Sequence, residues 1–144
     1  AGCVHHGFKA MSISASALTA EALKLTMPAS AFSRSTEAHN QDKVPMGAIA
    51  ARETLRILDL TETVAGISLL ALAQAVDLRG DAECPDRARA LRDAVRTVAP
   101  PLTTDRAMDV ELGDVVALHR AGGIPHGAVP PTTLGPGEAQ GPRP

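Results

Sequence analysis

The sequence predicts an all-α protein, a bundle of helices around one long helix. The 144 residues include two Phe and no Trp or Tyr, so Leu, Val, Ile, Met and Ala must fill the core. That set of residues favours packed helices over strands. Apolar residues recur at helical spacing in several segments, and no proline lies between Pro45 and Pro85. An apolar fraction of 44% is compatible with a single globular domain.

The first helix is predicted over residues 7–26. Apolar residues recur there at the spacing of an amphipathic helix, at Ile13, Ala17, Ala20 and Leu23. Pro28 ends this helix because it disfavours the α conformation in the residue before it. Residues 29–43 are dense in Ser, Thr, Asn and Asp, whose side chains compete for backbone hydrogen bonds, so we expect a long loop.

A long helix is predicted over residues 45–78, with Pro45 in its first turn and a bend at Gly66. One side of its first half is polar, with Arg52, Arg56, Asp59 and Thr63. Residues 64–76 are apolar almost all round, which implies neighbours on every side of the helix. The sequence therefore predicts an oligomer or a longer parent chain.

A third helix is predicted to begin near Pro85 and to end before Pro100 and Pro101, which cannot continue a helix. Its apolar stripe consists of Ala88, Leu91, Val95 and Val98. A helix of this pattern buries one side only, so we expect it to pack against a neighbour.

A fourth helix is predicted to start at a cap formed by Thr104 or Asp105 and to end at Gly122 and Gly123. Its expected buried residues are Met108, Leu112, Val115 and Val116. Residues 124–144 are Pro, Gly and small polar residues and are predicted to be a disordered tail. The predicted organisation is thus a helical region, 1–123, followed by the tail.

Several classes of function are disfavoured by the composition. A net charge of -2 provides no basic surface for nucleic acid or an anionic membrane. Residues 64–76 are too short to cross a bilayer, which needs about 20 apolar residues. The first residues contain no export signal, and Cys3 and Cys84 are expected to be reduced thiols, so we predict a cytoplasmic protein. Cys3, His5 and His6 are too few for a zinc site, and no metal is predicted.

The segment that predicts chemistry lies in the long polar loop, directly before the long helix. It reads Ser-Thr-Glu-Ala-His-Asn-Gln-Asp and contains Glu37, Asn40 and Gln41. The free N–H groups of a helix's first turn stabilise negative charge, and amides add directed hydrogen bonds. A carboxylate beside two amides suits recognition of an amino acid or proton transfer next to a developing anion. The alternative is a capping loop with only local hydrogen bonds.

The block Glu-Ala-His-Asn-Gln-Asp, followed by Val-Pro-Met-Gly and Ala-Ala-Arg, resembles the signature of the histidine, phenylalanine and tyrosine ammonia-lyase family. Upstream, Gly-Phe-Lys at residues 7–9 resembles the same motif of phenylalanine lyases. Lys9, Glu21, Pro28 and Glu37 keep that family's spacing without a gap. The resemblance covers about residues 5–122 and corresponds to the carboxy-terminal part of the family's fold.

The resemblance implies an enzyme that eliminates ammonia from an aromatic amino acid to leave an α,β-unsaturated acid. The electrophile of that family is 4-methylidene-imidazol-5-one, formed from an internal Ala-Ser-Gly. By the resemblance, Glu37 faces the substrate amine, while Asn40 and Gln41 bond around the electrophile and the substrate carboxylate. Lys9 and Ile13 line the side-chain pocket, and Lys9 favours a phenylalanine or tyrosine type. Lys9 and Ile13 are four residues apart and so share one helix face, which agrees with a common role in the pocket. Taken singly, Lys9 could be a solvated lysine and Ile13 a core residue.

The departures from the family pattern limit what the chain does alone. No Ala-Ser-Gly occurs in it, so the electrophile must come from polypeptide outside this chain, and no Tyr is present. The chain is therefore predicted to be a fragment, a subunit of a split enzyme or an inactive remnant. Its expected partners are an amino-terminal lyase portion, an amino-acid substrate and further copies in a homotetramer or hetero-oligomer. Two alternatives stay open: an aromatic 2,3-aminomutase and a non-catalytic helical assembly module.

Overall fold

The computed structural model describes residues 4–41 and 45–125. Four α-helices and two short 3-10 turns make up the regular structure of these residues, with no strand among them beyond one isolated bridge. The prediction of an all-α fold is confirmed. In chain order the elements are α1 (Lys9–Lys24), the turn Ala29–Phe32, α2 (Gly47–Arg79), the turn Asp81–Glu83, α3 (Asp86–Arg96) and α4 (Asp109–Arg120).

The 33-residue helix α2 is the centre of the fold, and α1, α3 and α4 each pack against it. At 1.5 Å per residue it is about 50 Å long. It begins at Gly47, so Pro45 lies just outside the first turn in which it was predicted. The buried core gathers along its second half. The residues of this core are Leu70, Ala73, Val95, Ala99, Leu102, Met108, Val115 and Ile124.

Helix α1 turns a different face to the core from the one that the sequence predicted. Ile13 is 62% exposed and Leu23 is 64% exposed, and Ala17 and Ala20 are exposed as well. Phe8 and Met11 pack against the core instead. The prediction of this stripe was wrong because α1 is rich in Ala and carries apolar residues on more than one side, so that spacing alone does not select the buried face.

Helices α3 and α4 lie close to their predicted positions, but α4 starts later than predicted. It begins at Asp109, and neither Thr104 nor Asp105 caps it, since its N-cap residue is Met108 and has no side-chain cap hydrogen bond. Val95, Val115 and Met108 are buried. The other members of the two predicted stripes are half-buried or better. The cap prediction failed because the side chain of Asp105 bonds to a distant segment, described below.

Each helix packed on α2 also forms an ion pair with it. Glu21 of α1 accepts from Arg56 at 2.8 Å, and Arg120 of α4 donates to Asp59 at 2.7 Å. These pairs join exposed side chains and contribute little energy. Arg96 of α3 reaches Asp77 at 2.7 Å, and both side chains are at most 20% exposed. The predicted polar side of α2 thus contacts its neighbours instead of facing only solvent.

Helix α2 also has an apolar strip that this chain leaves uncovered. Leu55 is 63% exposed, Leu58 is 53% exposed and Leu72 is 56% exposed, at helical spacing. Leu55 and Leu58 are neighbours on the helix surface, whereas Leu72 lies about 21 Å further along the axis. The predicted neighbours on every side of α2 are therefore only partly supplied by α1, α3 and α4. The predicted oligomer stays a prediction.

The predicted boundary of the tail needs one correction. Ile124, the first residue of the predicted disordered segment, is 2% exposed and belongs to the core. The apolar side chain is buried here because the chain turns back at Gly122, which has a φ of 73°. Residues 126–144 lie outside the described residues. Within the described part, no helix has the length and apolarity to cross a membrane.

Gly66 lets α2 and α4 approach closely. A Cβ atom at this position would lie 2.9 Å from Cγ2 of Val116 and 3.0 Å from Cδ1 of Leu112. We predict that Gly66→Val lowers the free energy of unfolding by about 1–3 kcal/mol through overpacking. Gly113→Ala on α4 is the control, because its Cβ would meet nothing within 4 Å. That change should stabilise by about 0.4–1 kcal/mol. Chemical denaturation measures both, and equal effects would contradict the close approach.

Candidate functional site

The signature segment forms a tight turn with an unusual backbone. Glu37, Ala38 and His39 have φ values of 49°, 53° and 65°, in the left-handed region. Each such residue costs on the order of 1–3 kcal/mol when it is not glycine, and strain of this kind concentrates at functional sites. Three consecutive residues in this region require the surrounding bonds to hold them.

Those bonds come from the residues on both sides of the turn. Thr36 and Gln41 exchange both backbone hydrogen bonds, with N–O distances of 3.3 and 3.2 Å. The N–H of Asn40 donates to the carbonyl of Glu37 at 2.9 Å. Thr36 Oγ1 donates to Gln41 Oε1 at 2.9 Å, and Ser35 Oγ lies 2.6 Å from His39 Nδ1. The role of Thr36 was not foreseen, because only the backbone pairing brings it opposite Gln41.

The turn leaves the predicted catalytic side chains accessible. Glu37, Asn40 and Gln41 are all exposed. Within residues 4–41 and 45–125, neither the Glu37 carboxylate nor the Asn40 side-chain amide has a hydrogen-bond partner, and Gln41 uses only its oxygen. No side chain caps α2 at Met46, but the local hydrogen bonds of the capping-loop alternative are present at Ser35 and Thr36, so that alternative stays open. One carboxylate and two amide donors therefore face outward from a single turn.

Lys9 and Ile13 lie one turn apart at the start of α1, and both are exposed. The alternative that Ile13 is a core residue is wrong for this chain, because its side chain is 62% exposed. No hydrogen bond or ion pair of the described residues links Lys9 to the turn at Glu37. The convergence of Lys9 and Ile13 with the turn on one substrate stays a prediction.

Asp105 fixes the segment that leads into α1. Its Oδ2 accepts from the N–H of His6 at 2.7 Å, and its Oδ1 accepts from the N–H of Gly7 at 2.9 Å. The imidazoles of His5 and His6 lie 3.9 and 3.7 Å from Oδ2. The hydrogen bond from His6, then that from Gly7, holds the pKa of Asp105 below its ordinary value. Sequence reasoning missed this contact because nearly a hundred residues separate its partners.

The described residues contain no group of three His, Cys, Asp or Glu side chains placed to hold a metal ion. Cys3, one of the three ligands weighed in the sequence, lies outside the described residues. An open groove of about 580 Å³ runs between α2 and α4, with Arg56 and Arg120 among its lining residues. None of the predicted site residues lines this groove, so the turn and the start of α1 remain the candidate site.

The family model for aromatic amino acid lyases matches residues 1–98. This chain belongs to that family. Among its lyase relatives, histidine ammonia-lyase of Koribacter versatilis is 34% identical over 83% of the chain and 23% of its own length. Tyrosine ammonia-lyase of Cupriavidus metallidurans is 39% identical over 82% of the chain and 22% of its own length.

Solved structures of the lyase family have the same fold. Tyrosine aminomutase from Streptomyces globisporus matches with a TM-score of 0.76 and 35% identity, over 85% of this chain and 23% of that one. Histidine ammonia-lyase from Trypanosoma cruzi matches with a TM-score of 0.76 and 32% identity, over 83% of this chain and 24% of that one. The chain thus spans about a quarter of the length of the lyases and aminomutases it matches.

The left-handed backbone of the lyase-family turn makes a testable prediction at Ala38. Ala38→Gly removes a left-handed penalty of about 1–2 kcal/mol and adds about 0.4–1 kcal/mol of unfolded-state entropy, so the net gain in stability is about 1 kcal/mol or less. Ala51→Gly, the same change on the exposed side of α2, should cost about 1 kcal/mol. Thermal unfolding measures both. A loss of stability at Ala38 would mean that the turn does not have this backbone.

The Asp105 contact predicts a pH dependence of stability. Because its pKa is lower in the folded state, Asp105 stabilises the fold above its unfolded pKa, and this contribution is lost as the pH falls through the folded pKa. Asp105→Asn should therefore lower the Tm at neutral pH, and the difference from the unsubstituted protein should shrink under acid conditions. A Tm difference that is constant from pH 7 to pH 2 would contradict the contact.

Proposed function

We propose that this chain provides part of the active site of an aromatic amino-acid ammonia-lyase, which releases ammonia and an α,β-unsaturated acid. The single observation that carries the proposal is the strained turn at residues 37–39, which exposes one carboxylate and two amides in a chain of the lyase family. Left-handed residues that are not glycine are costly and cluster at active sites and ligand clamps, which supports a functional role for this turn.

In this proposal each side chain of the turn has a role suited to its chemistry. The Glu37 carboxylate attracts the substrate ammonium and accepts or returns a proton at the amine. The Asn40 amide donates to the substrate carboxylate. The Gln41 oxygen is held by Thr36, so its Nε2 is oriented outward and can donate. Lys9 and Ile13 line the pocket for the aromatic side chain and favour a phenylalanine or tyrosine substrate over histidine.

The family's electrophile, 4-methylidene-imidazol-5-one, supplies an electron-poor double bond that helps to expel ammonia. It would come from an Ala-Ser-Gly outside this chain. The donors present fit this group, because the amide nitrogens of Asn40 and Gln41 have no partner among the described residues and an imidazolone offers a carbonyl oxygen and a ring nitrogen as acceptors. This chain's contribution is to bind, orient and hold the proton, with Gln41 facing the electrophile.

The proposal requires further polypeptide. The chain spans about a quarter of the length of its relatives, and the strip of Leu55, Leu58 and Leu72 is uncovered. We infer that an amino-terminal lyase portion and further copies of the chain cover this strip in a homo- or hetero-oligomer. The assembly is proposed to be cytoplasmic.

A 2,3-aminomutase is the second candidate, because solved structures similar to this chain include a tyrosine aminomutase and a phenylalanine aminomutase. Such an enzyme adds the amine back at the neighbouring carbon. A β-amino acid among the products, detected by chromatography alongside the unsaturated acid, separates the two reactions. A non-catalytic assembly module, the third reading, would yield neither product.

The experiment is reconstitution with the polypeptide that carries the Ala-Ser-Gly segment, followed by the ultraviolet absorbance of the unsaturated acid. Glu37→Gln should lower kcat by about 10²- to 10⁴-fold through loss of the proton acceptor. Gln41→Ala should lower it by about 10²- to 10³-fold through loss of one donor.

The matched control is Glu83→Gln, an exposed glutamate beyond the other end of α2 whose side chain makes no ion pair or hydrogen bond among the described residues. It should leave kcat unchanged. Activity that survives both Glu37→Gln and Gln41→Ala would overturn the assignment of the turn. No product from any reconstituted assembly would favour the module.

A further inference from the structure

The lead-in to α1 is held by one carboxylate from the far end of the chain. Asp105 lies in the connection between α3 and α4, and both of its oxygens accept hydrogen bonds from consecutive backbone N–H groups, those of His6 and Gly7. Gly7 has a φ of 57°, so the chain makes a left-handed turn at this point. The carboxylate fixes the direction in which the backbone enters the helix.

Among the described residues, Asp105 provides the side-chain hydrogen bonds at this helix start, beside one backbone bond from the Lys9 N–H to the His6 carbonyl at 3.3 Å. The N-cap residue is Phe8, which has no side-chain cap hydrogen bond, and the first turn of α1 has no acidic residue. Phe8 and Met11 pack on the core and hold one face of the helix. Lys9 and Ile13 are on the exposed side, and their position depends on how the helix is rotated and shifted along its axis.

We propose that Asp105 is a positioning residue that sets substrate affinity and specificity through Lys9 and Ile13. The inference rests on the proposed function, since it takes Lys9 and Ile13 as the lining of the substrate side-chain pocket. Asp105 itself touches the backbone two to three residues before Lys9 and not the substrate. Its effect is therefore on where the pocket wall lies, and not on the proton transfer assigned to Glu37.

The test substitutes Asp105→Asn in the reconstituted assembly and measures kcat and KM for phenylalanine, tyrosine and histidine. An amide has one acceptor oxygen and presents N–H groups to a backbone N–H, so at least one of the two hydrogen bonds is lost. We expect kcat/KM to fall by about 10- to 100-fold for the preferred substrate, the range for a displaced pocket wall. The loss should lie mainly in KM, with the ratio of kcat/KM between substrates changed.

A merely structural role gives a different result. Partial unfolding reduces the amount of active enzyme, which lowers the apparent kcat equally for all three substrates and leaves KM and their ratio unchanged. Asp105→Glu retains both acceptor oxygens and should restore part of the affinity. Asp114→Asn on α4 is the matched control, because the Asp114 side chain is exposed and makes no hydrogen bond or ion pair among the described residues.

The route through Lys9 is tested by a double-mutant cycle. If Asp105 acts by positioning the wall that Lys9 forms, then Asp105→Asn should change KM much less when Lys9→Ala is already present. Strictly additive effects would overturn the route. Hydrogen exchange at the His6 and Gly7 amides, which should quicken in Asp105→Asn, reports the contact without turnover.

The outcomes separate the inference from the proposed function. An active assembly in which Asp105→Asn leaves KM and the substrate ratio unchanged overturns the positioning role and leaves the lyase assignment standing. An unsubstituted assembly that converts none of the three substrates overturns the lyase assignment, and the positioning role with it. Slow exchange retained at His6 and Gly7 in Asp105→Asn overturns the contact itself.

Discussion

The burial of the second half of α2 by three other helices is the constraint on which the rest of the structure depends. Leu70 and Ala73 are 1% and 0% exposed, and the side chains that cover them come from α3, α4 and the connections around them. Less of its first half is buried, where Leu55 and Leu58 are 63% and 53% exposed among the described residues. The signature turn precedes this first half in the chain.

The candidate site consists of two segments that are held in place by different kinds of contact. The turn before α2 is held by local hydrogen bonds between residues 35 and 41, so it can keep its shape with little help from the core. The start of α1 depends on a contact between Asp105 and the backbone of residues 6 and 7, which exists only once α3 and α4 have packed. A substrate site built from both requires the folded helical core as well as the local turn.

The family membership and the fraction of the relatives that the chain covers limit how much of the lyase reaction this chain can provide. The chain spans about a quarter of the length of the ammonia-lyases that it matches and contains no Ala-Ser-Gly, and recognition of an amine and a carboxylate by its turn is the proposal made above. Leu55, Leu58 and Leu72 are exposed on α2, and we propose that further polypeptide covers them.

The sequence by itself determined the all-α class, the long central helix and the loop that carries the signature segment, because proline positions, helical spacing and a short contiguous motif are local properties. Only the tertiary structure decided which face of α1 is buried, since Phe8 and Met11 lie on one apolar side and Ile13 and Leu23 on another. Which side packs depends on the shape of the surface of α2. It also reassigned Asp105 from a helix cap to a partner of His6 and Gly7. A carboxylate bonds to whichever free N–H groups the fold brings within about 3 Å, and spacing along the chain does not predict that distance.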